Sequence, residues 1–273
     1  MSRHFFCENL LPFLSVLCVL FPMIGCDPTS ESSEQPAEIS GTTDAQQFSG
    51  DPSQNSSITT VNVSHTATSA TGTIEGTVIY TADPKRKWRY SRYYVMDRKK
   101  GYLAEAVVGL RSTKLKKLAT PSEPKETTID QKQTRFIPET VAIRSGDSVK
   151  FTNGDPFIHN VHTSNPLCRF DDSIKTGQSF IQSFPRAGGL HQPIVLGCRF
   201  HSVMQAWVFV FDHPWFQITS TDGRFRLEKI PPGTYQLKMA HPAGDLEWSK
   251  RIEVKAGKTV TIDIRVSPDN LSN

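Results

Sequence analysis

The chain has 273 residues, a formal net charge of +4 at pH 7, and 37% hydrophobic residues. Five cysteines are few for this length, and a total of eight histidines argues against enzymes that carry several histidine-rich metal sites. The charge is unevenly divided, because residues 27–71 hold six acidic and no basic side chains, whereas residues 72–273 hold 30 basic and 20 acidic ones.

The first 26 residues have the features of an export signal. Positive charge in MSRHFFCEN precedes the apolar stretch LLPFLSVLCVLFPMIG, which is too short for a clear membrane span of roughly 18 or more residues. The stretch ends in MIGC, which resembles the lipobox of bacterial lipoproteins. That resemblance implies acylation of Cys26 and a lipid anchor on the periplasmic side of the bacterial cell envelope. The alternative is a plain secretory signal with an incidental cysteine.

An acidic segment is followed by a basic one. Residues 27–71 are rich in Ser, Thr, Gln, Pro and acidic residues, a composition that predicts a disordered acidic tether. Residues 83–102, DPKRKWRYSRYYVMDRKKGY, combine basic and aromatic side chains. They indicate either a solvated loop or a docking face for an acidic partner, and on an exported chain we expect no nucleic-acid partner.

From residue 72 onward, alternating apolar residues and turn signals predict strands. The stretch TIEGTVIY places Ile74, Val78 and Tyr80 on one face, with Gly76 at a bulge or a close approach. EAVVGL (105–110) predicts a short buried strand. TVAIRSGDSVKF has the pattern of a β-hairpin around the turn SGDS, and QAWVFVF predicts a strand covered on both faces. No stretch of ten or more residues has a convincing helical pattern, so the sequence predicts an all-β sandwich.

The last 55 residues or so predict a second β unit. FQITSTDGRFRLEKIPPGTYQLKMA alternates strands with DG and PPG turns, and KRIEVKAGKTVTIDIRV continues the pattern. The stretches TDGRFRL and IPPGTYQL resemble the carboxypeptidase regulatory-like module, which implies a small transthyretin-like sandwich. The unit contains no metal-binding or nucleophile constellation, so nothing in it indicates a peptidase.

One loop carries three soft or borderline metal donors at equal spacing. GCRFHSVMQAW places Cys198, His201 and Met204 three residues apart. One thiolate, two imidazoles and a weak axial thioether are the ligands of mononuclear electron-transfer copper sites. The missing histidine must come from another strand, and FTNGDPFIHNVH offers His159 and His162. In an extended segment these two point to opposite faces, so we expect one of them at the metal.

The stretches IDQKQTRFIPETVAIRSGDSVKFTNGDPFIHNVHTSNP and CRFHSVMQAWVFVFDHPWF resemble cupredoxins of the amicyanin type. The resemblance implies one type 1 copper site with the ligands His159, Cys198, His201 and Met204. It also implies that the backbone N–H of Asn160 supports the Cys198 sulfur.

Together the resemblances imply an all-β chain: a cupredoxin-like Greek-key β-sandwich followed by a small transthyretin-like (carboxypeptidase regulatory-like) β-sandwich. The predicted organisation is a signal peptide (1–26), an acidic tether (27–71), a cupredoxin-like domain (72–215), a carboxypeptidase regulatory-like domain (216–268) and a tail (269–273).

The function that we predict is one-electron transfer without catalysis, to a redox partner protein that is acidic at the contact face. Two alternatives stay open. The same ligands suit copper storage or delivery, and a disulfide between Cys168 and Cys198 would leave a metal-free structural or binding protein. His191 is expected in a loop, and His213 and His241, each before a proline, are expected in turns or in packing between domains.

Overall fold

The computed structural model describes residues 70–81, 94–95, 97–241 and 246–267. The predicted signal peptide, Cys26, nearly all of the tether, most of the basic segment and the tail lie outside these ranges. No helix within the described ranges is long and apolar enough to cross a membrane. In chain order the elements are β1 (Gly72–Tyr80), β2 (Val107–Arg111), α1 (Leu115–Leu118), β3 (Glu126–Lys132), β4 (Arg135–Ile137), β5 (Thr140–Arg144), β6 (Ser148–Asn153), β7 (His159–Thr163), β8 (Phe170–Ile174), β9 (Ser179–Ser183), β10 (Ile194–Gly197), β11 (Gln205–Phe211), β12 (Phe216–Ile218), β13 (Arg224–Ile230), β14 (Gly233–His241), β15 (Leu246–Val254), β16 (Thr259–Thr261) and β17 (Ile264–Val266).

The first sandwich contains the strands from β3 to β11. Its sheets have the strand orders β5-β11-β10-β7-β8 and β4-β3-β6-β9. The pairs β5–β11 and β3–β6 are parallel, and the other pairs are antiparallel. Fully buried Ile129, Phe136 and Phe151 fill the space between the sheets. The prediction of an all-β fold is confirmed.

The predicted hairpin over residues 140–151 is wrong, although both strands form. β5 pairs with β11 in one sheet, whereas β6 pairs with β3 and β9 in the other. The turn at Gly146 therefore carries the chain from one layer of the sandwich to the other. Alternation and turn residues predict two successive strands, but they do not distinguish a hairpin from a connection between layers.

The second sandwich takes strands from both sides of the first one in the chain. β1 lies inside one sheet, with the order β13-β1-β16, and also pairs with β17. β2 lies inside the other sheet, with the order β12-β2-β14-β15. The predicted boundary at residue 215 is therefore wrong for β1 and β2. The apolar face of β1 is buried by strands that lie far along the chain: Glu75 pairs with Arg226, 151 residues later.

The predicted close approach at Gly76 is confirmed. A Cβ atom placed on Gly76 would lie 1.7 Å from the backbone oxygen of Ile262. The backbone N–H of Ile262 donates a hydrogen bond of 2.9 Å to the backbone oxygen of Glu75 beside it. Only a residue without a Cβ lets the two backbones meet at this distance.

An apolar cluster joins the two sandwiches. It explains why β11 is buried on both faces, as predicted: one face packs in the first sandwich and the other in this cluster. Its buried members come from both units: Val107, Leu190, Phe209, Phe211 and Ala240. Nε2 of His213 donates a 3.0 Å hydrogen bond to the backbone oxygen of Leu110, which agrees with the packing role predicted for that histidine.

His241, at the end of β14, is expected to make the free energy of unfolding depend on pH. It is 1% exposed, and burial lowers its pKa from 6.5 to about 4. Below about pH 6.5 the unfolded chain gains a proton at this site that the folded chain does not bind until about pH 4. The free energy of unfolding is thus expected to fall by about 2 kcal/mol between pH 7 and pH 5.

Urea unfolding at pH 7, 6 and 5 checks this expectation. His241→Gln should unfold with a smaller loss between pH 7 and pH 5, because its side chain does not titrate. A residual loss is expected from His213, whose pKa burial also lowers. If the free energy of unfolding of His241→Gln fell as much between pH 7 and pH 5 as that of the unaltered chain, the assignment to His241 would be contradicted.

Candidate metal centre

Three of the four predicted metal ligands meet at one end of the first sandwich. His159 is the first residue of β7, and Cys198 and His201 lie in the loop between β10 and β11. His159 and Cys198 are buried, whereas His201 is half-buried. The β-sandwich thus brings an imidazole from one strand to a thiol 39 residues later.

The donor atoms are spaced as one shared ion requires. The Cys198 sulfur is 3.9 Å from Nδ1 of His159 and 3.7 Å from Nδ1 of His201. All three donor atoms lie within 4.8 Å of one another. Nitrogen and sulfur atoms bound to a single first-row metal ion at about 2.0–2.3 Å are about 3.5–4 Å apart. The three side chains therefore fit a mononuclear metal site with little movement.

Met204 is the last residue of this loop, and its side chain is buried. Its backbone N–H donates a 3.0 Å hydrogen bond to the backbone oxygen of His201, and its side chain is 1% exposed. Met204 and Cys198 belong to the same buried apolar cluster. A thioether in this position is a soft and weak donor, which suits copper better than zinc.

Asp155, which was not among the predicted site residues, orients the His159 ring. The side-chain oxygen Oδ2 of Asp155 is 2.8 Å from Nε2 of His159, which leaves Nδ1 directed at Cys198. The backbone N–H groups of Gln133 and Thr134 donate to the same carboxylate at 2.7 and 2.9 Å. Burial opposes ionisation of Asp155, but these hydrogen bonds and the one to His159 outweigh it and lower its pKa. The turn NGDP, four residues before the histidine, was the available signal.

Asn160 connects the sulfur to the neighbouring strand. Its backbone N–H lies 3.4 Å from the Cys198 sulfur, as the resemblance implied. Its side chain donates to Oδ1 of Asp171 at 2.9 Å and accepts from the backbone N–H of Arg199 at 3.3 Å. Arg199 also forms an ion pair with Asp171, and the hydrogen bond from Arg199 lowers the pKa of that carboxyl to about 2. These contacts hold the Cys198 loop against β7 and β8.

Cys168 and His162 stay outside the group. Both described cysteines are free, so the structure contains no disulfide between Cys168 and Cys198. The Cys168 sulfur lies 3.8 Å from the backbone oxygen of Ser183, and burial raises the pKa of this thiol. His162 lies on β7 opposite Gly197 of β10. Its Nε2 atom is 3.2 Å from the position that a Cβ atom on Gly197 would take.

Two surface features adjoin the site. Exposed apolar side chains lie close to His159 and His201 in the chain, and among them Val203 is 82% exposed. The ring of Phe157 lies 5.0 Å from that of His159 and 5.7 Å from that of His201. We call Phe157, Ile158, Phe200 and Val203 the apolar rim. A groove of about 570 Å³ lies beside the site, and its lining includes Cys198 and Met204.

No protein-family model matches the sequence, and a search of curated proteins finds no significant match. Among solved structures, the chain is similar to amicyanin from Paracoccus versutus (Thiobacillus versutus), at 19% identity over 38% of this chain and 96% of that one, with a TM-score of 0.28. It is similar to a purple cupredoxin from Nitrosopumilus maritimus, at 22% identity over 30% of this chain and 97% of that one, with a TM-score of 0.26. It is also similar to a Cu-containing nitrite reductase from Thermus scotoductus SA-01, at 21% identity, with a TM-score of 0.29. That last match covers 34% of this chain and only 24% of the nitrite reductase.

Proposed function

We propose that the protein binds one copper ion and carries single electrons. The observation that supports this most is the convergence of the Nδ1 atoms of His159 and His201 on the sulfur of Cys198, with Met204 buried beside them. Copper held by two imidazoles, a thiolate and a weak thioether changes between its two oxidation states by gaining or losing one electron.

The residues around the ligands suit this role. Asp155 and Asn160 fix the His159 ring and the Cys198 loop by hydrogen bonds to strands and turns. These hydrogen bonds would limit movement of the ligands when the oxidation state changes. The site uses His159, Cys198, His201 and Met204 as ligands, and the proposal includes no catalytic step. The apolar rim around His201 provides a contact surface through which electrons enter and leave.

We further propose that the chain is exported and attached to a membrane of the bacterial cell envelope through Cys26. This part of the proposal depends on the sequence MIGC and the apolar stretch before it. The tether of residues 27–71 would let the basic remainder of the chain meet a redox partner that is acidic at its contact face.

The test is the absorption spectrum of the purified full chain after loading with Cu(II). We expect one copper per chain and strong visible absorption from the thiolate–copper bond. Ascorbate should bleach the absorption and ferricyanide should restore it, with copper retained through several cycles. Absence of visible absorption after loading, with Cys198 shown to be reduced, would contradict the proposal.

Copper storage or delivery is the second candidate. The groove that reaches Cys198 and Met204 favours it, because an acceptor could approach two of the proposed ligands from that side. Delivery predicts rapid transfer of Cu(I) from the reduced chain to a competing chelator. An electron carrier retains Cu(I) over the same period.

Asp155→Asn is expected to raise the dissociation constant for copper about 10-fold to 100-fold, because removing the partner of a ligating histidine has this range of effect. The side-chain amide of Asn would place an N–H group against the hydrogen-bond donors that now share the Asp155 carboxylate. Competition with a chelator of known affinity measures the change.

Asp147 provides the matched control for Asp155. Its carboxylate is also buried and accepts the backbone N–H groups of Lys125 and Arg144, both at 2.8 Å, but it forms no hydrogen bond to any histidine that the structure describes. Asp147→Asn should therefore destabilise the fold while leaving copper affinity unchanged. Equal losses of affinity in the two variants would assign the effect of Asp155 to folding alone.

Val203→Asp is expected to reduce electron self-exchange between oxidised and reduced copies about tenfold, because it places a negative charge on the apolar rim of both copies. NMR line widths in mixtures of the two oxidation states measure this rate. Ile181→Asp is the control, since Ile181 is 53% exposed but lies on β9, in the sheet that carries none of the proposed ligands. Equal rates in both variants would contradict contact through the rim.

A further inference from the structure

A second cluster of functional groups lies where the two sandwiches meet, and it shares no residue with the metal centre. Arg111 ends β2, and Lys238 lies in β14, the strand next to it. His191 comes from the segment between β9 and β10 of the first sandwich. Nε2 of His191 is 2.7 Å from Nη1 of Arg111 and 3.0 Å from Nζ of Lys238.

These contacts determine the state of the imidazole. Arginine and protonated lysine only donate hydrogen bonds, so Nε2 of His191 must be the acceptor of both and the ring must be neutral. Burial, Lys238 and Arg111 all lower the pKa of His191, in agreement with that state. A neutral ring thus holds two cationic groups within a few ångströms of each other, where they repel.

In the described part of the chain, the two cations have no anionic partner in direct contact. Among the residues that the structure describes, no carboxylate is hydrogen-bonded to Arg111 or Lys238. Glu247 interacts with Lys238 and His191 only through the electric field, and Asp212 lies on the cavity wall beside them. Burial and the charge of Arg111 lower the pKa of Lys238, and the charge of Glu247 offsets them only in part.

All three groups line one cavity of about 480 Å³ between the sandwiches. The hydroxyl-bearing residues Ser112 and Thr113 line it as well. Gly188 and Gly189 also line the cavity, and their backbone N–H groups both donate to the backbone oxygen of Val210, at 3.1 and 2.8 Å, which anchors this turn. The cavity is large enough for a small anion and is bounded by strands and by an anchored turn.

We propose that this cavity binds a small oxyanion, a phosphate or a carboxylate, between Arg111 and Lys238. The planar guanidinium can donate two parallel hydrogen bonds to such an anion, and the ammonium adds a point charge. The anion relieves the repulsion between the two cations. Because His191 belongs to the first sandwich and the cations to the second, the bound anion also strengthens the contact between the two units.

Calorimetric titration of the copper-free full chain at pH 7 and low ionic strength tests the proposal, with inorganic phosphate and acetate as the probes. We expect saturable binding to one site for at least one anion. Binding of phosphate alone indicates a tetrahedral dianion as the ligand class, and binding of acetate alone indicates a carboxylate. Arg111→Gln and Lys238→Gln should each weaken binding at least tenfold.

The controls are Arg265→Gln in β17 and Lys250→Gln in β15, which remove the same charges from exposed positions that do not line the cavity. They should leave the affinity unchanged. A shift of the His191 ring signals during an NMR titration places the anion in the cavity. Lack of saturable binding of either anion, or equal affinity in all four variants, would overturn the proposal. Copper is absent throughout, so the outcome is independent of the proposed electron transfer.

Discussion

Cys198→Ser is expected to abolish the visible absorption of the copper-loaded chain, whereas Cys168→Ser leaves it intact. The absorption requires a thiolate bound to copper, and a serine hydroxyl does not supply one at neutral pH. The Cys198 sulfur lies next to the Nδ1 atoms of both histidines, while the Cys168 sulfur contacts a backbone oxygen of β9. Absorption spectra of both variants, loaded with one equivalent of Cu(II), measure the difference.

The two cysteines are matched, because both are buried in the same apolar cluster. Their serine variants should therefore lose similar stability, and only the spectrum should separate them. Circular dichroism of each variant checks that the sandwich remains folded. Loss of the absorption in both folded variants, or in Cys168→Ser alone, would contradict the assignment of the thiolate to Cys198.

The spacing of Cys198, His201 and Met204 predicts their place in the site because all three lie in one short loop, where separation in sequence limits separation in space. His159 comes from another strand, and only the resemblance to cupredoxins selects it over His162. The alternation of side chains along β7 explains that choice: His159 and His162 are three residues apart and point to opposite faces of the strand.

The contacts that support the site could not be predicted in the same way. Asp155 reaches His159 because the turn over residues 153–158 folds back on the strand, and this conformation depends on hydrogen bonds from Gln133 and Thr134 in a different turn. His191 lies in a loop, as predicted. Its two cationic partners lie in β2 and β14, which no local pattern connects to it.

The same physical limit explains the wrong domain boundary. Alternation predicts that β1 is a strand and which of its faces is apolar, and both predictions hold for Ile74 and Val78. It does not say which strands cover that face. Here the partners are β13, β16 and β17, so the second sandwich needs β1 and β2 as much as the strands after residue 215.

Gly76→Ala tests this dependence, and we expect it to destabilise the second sandwich by about 3 kcal/mol. The added Cβ would lie 1.7 Å from the backbone oxygen of Ile262, and no rotation of a side chain relieves a contact between two backbones. The strand must move, and the hydrogen bond from the N–H of Ile262 to Glu75 is then lost. Where space is available, replacing glycine with alanine usually stabilises a protein by about 0.4–1 kcal/mol. The sign of the change in the free energy of unfolding therefore tests the close approach at Gly76.

Hydrogen exchange locates the effect of Gly76→Ala. Amides of β1, β13 and β16 should exchange faster than in the unaltered chain, while amides of β7 and β10 keep their protection. Thr77→Ala, at a half-buried position in the same strand, is the control and should change little.

The metal centre is built entirely from β7 and the loop after β10, so the copper absorption of Gly76→Ala should persist under native conditions. Loss of that absorption together with the protection of β1 would show instead that the two sandwiches unfold as one cooperative unit, coupled through the apolar cluster around Phe209 and Phe211.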